Sequence, residues 1–447
     1  MEGIGNLAGD DNPWLLRWLF LDKMILFRMH RIRFLTLIGA LGWYLRLSAQ
    51  TAENWPHWRG PDDCGSTLSG TYPESLNVEG PRWKTELPGK GSSTPIVWNR
   101  TIYLTAPTNG LDSLLTFDWS GKPLSITTFS HEKSGTHRNG SGCNPSPVTD
   151  GRTVFVYFKS GTLAALGLTG KTIWHTNLVD AFGPDTLGWD QGTSPVLSDD
   201  CVIVVRMQHE DSWIAAFDKI HGRLSWKVPR QFKAPTENDH AYTSPVVFRQ
   251  QGKSSLLVWG ADHLTLHELA QGKELWVCGN FNPEQKEHWP AVASPVVAGE
   301  IAIIPGGRSD RGQPRLDGIS LSEGGKRIWQ RSDTGTYVPT PAVYQGRVYL
   351  LRDRGELECI EPTTGKSVWK DAFPKSSANY YASPVIAAGL LYAVREDGVL
   401  FIARIEGQFR LLSENKLGEP IIASPVPISN RLIIRGEKHL FCFSARD

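Results

Sequence analysis

Ser194-Pro-Val, Val202-Ile-Val-Val205, Trp213-Ile-Ala-Ala-Phe217 and Gly222-Arg-Leu-Ser-Trp226 follow one another as four short, mostly apolar runs parted by polar turns. The pattern restarts at Ser244-Pro-Val246. Ser/Thr-Pro before a small or aliphatic residue occurs eight times, at Pro95, Pro147, Pro195, Pro245, Pro295, Pro341, Pro384 and Pro425, spaced 41 to 52 residues apart. A period of about 40–50 residues built from short β-type segments predicts a propeller or related array. The third run of a unit recurs as Leu163-Ala-Ala-Leu166 and Leu357-Glu-Cys-Ile360. The fourth opens on Gly-Lys or Gly-Arg and holds Trp174, Trp226, Trp276, Trp329 or Trp369. The Gly permits the positive φ of a tight hairpin. The Trp is expected to wedge between neighbouring blades, which must bury their faces on each other. A Pro opening a strand is tolerated where its missing N–H falls outside the ladder.

The ends of the array predict how it closes. The eighth unit starts at Pro425 and has room for three strands before the chain stops, whereas Pro81-Arg-Trp-Lys-Thr-Glu-Leu87 resembles a fourth strand without a unit. The strand around Trp83 is therefore expected to complete the last blade and remove both sheet edges. In the seventh unit Phe409-Arg-Leu-Leu412 replaces the Gly-Lys…Trp pattern, a degenerate blade. The expected fold is all-β: an eight-bladed β-propeller of four-stranded antiparallel blades over residues 81–447, preceded by a lead-in at 53–80.

Lys and Arg number 47 against 46 Asp and Glu, a net charge of +1. With no cationic excess, no nucleic-acid partner is expected. Seventeen Trp, 44 Gly and 29 Pro suit short strands and tight turns. Gly-x-Ser-x-Gly, phosphate-loop and His-Glu-x-x-His templates are absent. Residues 1–52 carry the marks of an export signal: Met29-His-Arg-Ile-Arg33, an apolar run from Phe34 to Leu45, and small residues at Ser48-Ala49-Gln50-Thr51-Ala52. Translation from Met29 or Met24 rather than Met1 is the expectation. An uncleaved anchor is the alternative, and only it would associate the protein with the membrane, since the run is short of the ~20 residues of a span. Export to the periplasm or cell envelope would permit disulfides. Cys201, Cys359 and Cys442 lie in apolar runs and are expected as buried hydrophobes, while Cys64 and Cys143 lie in Gly/Ser-rich loops and are a candidate pair. There is no Cys-x-x-Cys, hence no local zinc or haem motif.

In a four-stranded blade the loop before the innermost strand and the turn between second and third strands open on one face. The residues just before each Ser/Thr-Pro should therefore ring one mouth of the channel. They include His137, Arg138, Trp189, Asp190, Asp239, His240, Tyr242, His288, Trp289, Tyr337, Tyr380 and Tyr381. Aromatic rings for stacking and a few polar anchors are the makings of a ligand pocket. A metal site would draw on His137, Asp190, Asp239, His240 and His288. Polar turns at a wet channel mouth would give a similar composition without any ligand.

Gly167-Leu-Thr-Gly-Lys-Thr-Ile-Trp174 and Glu361-Pro-Thr-Thr-Gly-Lys-Ser-Val-Trp369 resemble the repeat of the PQQ-like (quinoprotein-type) β-propellers. Asn54-Trp-Pro-His-Trp-Arg-Gly-Pro61 is similar to the opening motif of exported bacterial PQQ-like repeat proteins often named after the outer-membrane assembly factor BamB. The resemblance implies a non-catalytic scaffold at the cell envelope; a monomer that binds a protein partner or small ligand at the mouth is the expectation. Its other branch implies a dehydrogenase holding PQQ beside Ca²⁺ and a catalytic Asp, with the quinone between a Trp and a disulfide of adjacent cysteines. This chain has no adjacent cysteines and no Cys-x-x-Cys-His haem segment.

Overall fold

The computed structural model describes residues 53–250 and 252–445; the expected export signal and the alternative start residues lie outside the described residues. Each of the first seven repeat units supplies four antiparallel strands in sequence order, the eighth supplies three, and the eight sheets make the ring. The third blade is representative, with strands Val196–Leu197, Cys201–Arg206, Trp213–Asp218 and Leu224–Pro229. The orphan strand Trp83–Glu86 pairs antiparallel with His439–Ser444, Trp83 opposite Cys442, and so completes the eighth blade. The degenerate seventh unit keeps all its strands, its outer one at Arg410–Lys416.

The core lies between blades rather than within them. One cluster joins Ile203 and Val205 of the third blade, Leu256 and Val258 of the fourth, and Ile304 and Ile319 of the fifth. Second and third strands are buried on both faces, which is why their sequences are continuous apolar runs. Outer strands alternate instead, as in Leu224–Pro229. Cys201, Cys359 and Cys442 are buried, as expected, and no two of the six cysteines are joined. Cys64 lies beside Ser66 and Cys143 beside Asp112, so the pair considered from sequence does not form.

The Gly and Trp of the repeat prove to be two halves of one contact. The ring of Trp226 packs on Gly272 of the next blade, and its Nε1–H donates to the Leu269 carbonyl at 3.1 Å. Trp174 meets Gly222, Trp329 meets Gly365 and Trp83 meets Gly121 in the same way, with indole donors on Lys219, Pro362 and Trp119 carbonyls. The Gly therefore answers two demands, a left-handed φ and a bare surface for the neighbour's indole. In the first blade, where no Trp stands at this place, Ser125 and Thr127 bond the Thr169 and Gly170 carbonyls instead.

The Ser/Thr-Pro marks form a second ring of contacts. The N–H of Thr94 donates to Ser146 Oγ at 2.9 Å, Ser146 to Ser194, Ser194 to Ser244, Ser244 to Ser294, Ser294 to Thr340, Thr340 to Ser383, Ser383 to Ser424, and Ser424 back to Thr94 Oγ1 at 3.2 Å. Eight hydrogen bonds thus circle the channel throat, one per blade junction. All eight residues are buried. Each is followed by Pro, so no further backbone donor is stranded at this level.

The lead-in enters the channel and crosses it as a strap. Fully buried Trp55 makes a two-bond bridge with Val97, the Pro56 carbonyl accepts from Thr149, and Ser66–Thr67 adds a parallel fifth strand inside the seventh blade, opposite Ile386 and Ala387. Arg59 is buried and donates to the Pro341 and Pro384 carbonyls at 2.6 and 3.2 Å. The strap bonds the inner strands past the Ser/Thr-Pro level and closes that end of the channel.

Two predictions test this packing. Gly272→Ala places a Cβ 2.5 Å from the Trp226 ring, whereas Gly346→Ala, at the same φ of +72°, meets nothing within 4 Å. Chemical denaturation should show a loss of about 1 kcal/mol for Gly346→Ala and about 3 kcal/mol for Gly272→Ala. Asp112 is fully buried under the loop after the first blade, with Oδ2 unpartnered, and burial pushes its carboxyl up from 3.8 to about 6. A raised folded-state value means that stability is complete below the unfolded value and falls as pH rises through about 6. Asp112→Asn should therefore gain about 2–3 kcal/mol over the parent at pH 8 and nothing at pH 4, read by thermal unfolding at both.

Candidate functional site

The throat and strap turn the channel into a cup of about 780 Å³. Its floor is the Ser/Thr ring with the Trp58 ring of the strap, and its walls are the loops that lead into each inner strand. The short helix Leu178–Phe182, capped by Asn177 Oδ1 on the Val179 and Asp180 amides, sets the start of the wall loop that carries Trp189. The 3-10 turn Ser309–Arg311 raises Arg308 and Arg311 on the fifth blade.

Of the twelve rim residues expected from sequence, His137, Trp189, Asp190, Tyr242, His288, Tyr337 and Tyr381 line the cup. His137 stands edge-on to Trp189 at 5.7 Å and to Tyr381 at 6.2 Å. Its loop leans across the mouth, where Arg138 and Asn139 both bond Glu396 of the seventh blade. Trp189 is 46 % exposed, large for a Trp, and its Nε1–H is tied to Glu237 Oε1 at 2.9 Å. Glu237 Oε2 lies 2.9 Å from His288 Nδ1, and both residues hold left-handed backbones at φ +67° and +59°. Such strain persists where surrounding contacts over-determine it, often at binding sites. Arg308 lies 4.2 Å over the Tyr337 ring and pairs with Asp310.

The other five do not reach the cup. Arg138 points out from the lip to Glu396. Asp239 pairs with His209 at 2.8 Å, and this carboxylate holds the exposed imidazole above its usual range. His240 Nδ1 faces the Gly188 amide at 3.4 Å. Trp289 lies under the Lys286 ammonium at 4.7 Å. Tyr380 is core, stacked on Phe373 between the sixth and seventh blades. Adjacent positions diverge because successive side chains of an extended segment face opposite ways, so Tyr381 enters the cup while Tyr380 leaves it.

The acids at the mouth are loop braces. Asp190 accepts from the Thr136 and His137 amides at 2.6 and 3.0 Å and from buried Lys159. Burial pushes its carboxyl up, but Lys159 and the two amides outweigh this and hold it below the usual range. Asp353 accepts from the Tyr337 and Val338 amides at 3.0 Å and from the Ser309 hydroxyl. Glu237 and Asp310 are bound as described. All four carboxylates that line the cup are engaged.

That bears on the quinone and calcium that the dehydrogenase branch of the resemblance implies. Calcium needs about 6–8 oxygen ligands, several of them carboxylate. Among the described residues no three His, Cys, Asp or Glu side chains converge on one point, and no Cys lines the cup. His137, Asp190, Asp239, His240 and His288, weighed from sequence as metal ligands, are held apart by Lys159, His209 and Glu237. The residues present do not fit a calcium-held quinone. Sequence reasoning missed Trp58, Glu237, Lys159 and Arg354. The Trp58 motif was visible, but nothing in a local pattern said that it would turn into the channel.

Comparison with known proteins agrees with this fold. Residues 113–304 and 317–407 match the family model described as outer membrane protein assembly factor BamB. The outer membrane protein assembly factor BamB of Yersinia pestis is 24% identical over 305 residues, 64% of this chain and 70% of that protein. Tetrathionate hydrolase of Acidianus ambivalens is 31% identical over 85 residues, 17% of this chain, and the match spans only 16% of the hydrolase. Among solved structures, a europium-containing methanol dehydrogenase superposes with a TM-score of 0.65 at 12% identity, covering 88% of this chain and 92% of the enzyme, a likeness of fold alone. With the family model matched over more than half of its length, this chain belongs to the PQQ-like β-propeller family of the outer membrane assembly factor BamB.

Proposed function

We infer that this protein is an exported, non-catalytic binding scaffold of the cell envelope whose cup receives a partner segment or small ligand. One observation carries the reading. Every carboxylate lining the cup is spent on holding loops, while Trp58, Trp189, Tyr242, Tyr337 and Tyr381 are presented to it. Such a surface supplies stacking and hydrogen bonds without a free carboxylate. The family relationship supports the same reading, since the matching model is described as an assembly factor.

The test is direct. The full chain is dialysed with micromolar PQQ and millimolar Ca²⁺, then assayed for bound quinone absorbance and for dye-linked oxidation of alcohols and sugars. No retained quinone and no dye reduction is the expected result. In the producing cell, a photocrosslinking residue replacing Trp189 should yield a discrete adduct in the envelope fraction. Calcium-dependent quinone retention with turnover would overturn the scaffold reading in favour of an oxidoreductase.

A further inference from the structure

The floor of the cup is unusual in what it leaves unused. Each of the eight throat hydroxyls accepts a backbone N–H from the preceding blade. A hydroxyl that accepts once still carries its own proton. Among the described residues none of these eight donates that proton to a protein acceptor. The floor is therefore a circle of donors around the axis. The backbone beside them offers little, because each Ser/Thr N–H is taken and the following Pro has none. A peptide adding as a strand would find no donor ladder at this level.

Charge points the same way. The carboxylates of the cup are engaged, but Arg311 and Arg354, on the turns of the fifth and sixth blades, form no ion pair among the described residues; Arg354 bonds only the Ser377 carbonyl. Beneath the floor, Arg59 is buried against backbone carbonyls with Nε unpartnered. The cup thus combines a circle of hydroxyl donors, two guanidinium groups outside any ion pair among the described residues, and flat apolar faces at Trp58, Trp189 and Tyr381. The polar tip of Trp189 is occupied by Glu237 and that of Tyr381 by Asn379. What remains on offer is the ring face.

We propose that the cup binds an acidic oligosaccharide, its sugar rings lying on the aromatic faces, its hydroxyl and ring oxygens accepting from the throat circle, and its carboxylates facing Arg311 and Arg354. Sugars carry many acceptors on a compact frame with apolar C–H faces, and the volume of about 780 Å³ holds a few rings. This rests on the cup being a binding site, as proposed above.

The experiment is calorimetric titration of the full chain with a set of acidic tetrasaccharides of differing linkage (tetragalacturonate and tetraguluronate among them), with neutral maltotetraose, and with an acidic hexapeptide. At least one acidic saccharide should bind, and maltotetraose should bind about tenfold more weakly or not at all. Trp189→Ala should weaken the acidic saccharide about tenfold or more, and Arg354→Gln should erase the preference over maltotetraose, both with unchanged thermal unfolding. Trp289→Ala, outside the cup, should change nothing. If the peptide binds in a Trp189-dependent manner and no saccharide does, the saccharide inference is wrong and the binding cup stands. If saccharide binds equally well with Trp189→Ala, it binds elsewhere and the inference is wrong. If neither class binds and the Trp189 photocrosslink yields no adduct, both readings fall.

Discussion

The eight hydrogen bonds from each Ser/Thr-Pro amide to the hydroxyl of the next blade hold the throat of this molecule, and much else follows from them. A propeller of this size has a wide axial channel lined by the free edges of its inner strands, and buried edge groups without partners are costly. Here the side chain before each Pro satisfies the neighbouring amide, and the Pro removes the next donor. The ring closes only if all eight blades are present, which ties blade number to sequence period. At the periphery the indole-on-glycine contact repeats the same logic with apolar surface, one blade supplying the ring and the next the bare backbone that receives it.

Function follows from how the two ends of the channel are treated. The strap closes one end and places Trp58 in the floor. The other end stays open and is walled by loops too long to hold their own shape. Asp190, Asp353, Glu237 and Glu396 supply that shape by accepting the amides and side chains of neighbouring loops. A carboxylate already bonded by two backbone amides and an ammonium is a poor metal ligand and a poor base. The fold shared with quinone enzymes thus carries a mouth whose acids serve architecture, while the aromatic rings they position face the cavity.

Much of this architecture was legible in the chain because it is written eight times. Period, blade number, strand count and closure through Trp83 all rest on repetition, where one weak local signal is confirmed by the others. The mouth is not repeated. Its loops differ in length and composition, so the rule that placed His137, Trp189 and Tyr381 in the cup also named Tyr380 and Trp289, which side-chain alternation sends elsewhere. The strap was the larger omission. Residues 53–80 contain no unit of the repeat, and their partners, such as Val97, Val343 and Ile386, lie far off in sequence. Non-local pairing of that kind leaves no periodic trace.

Native-state hydrogen exchange resolved to single amides tests most directly whether the throat is one closed device. The amides of Thr94, Ser146, Ser194, Ser244, Ser294, Thr340, Ser383 and Ser424 should exchange at one common slow rate that tracks global unfolding, because none can open without breaking the circle. Fast or blade-specific exchange at several of these amides, in a protein whose outer strands remain protected, would show that the throat is not a closed ring and would remove the platform on which the cup is built.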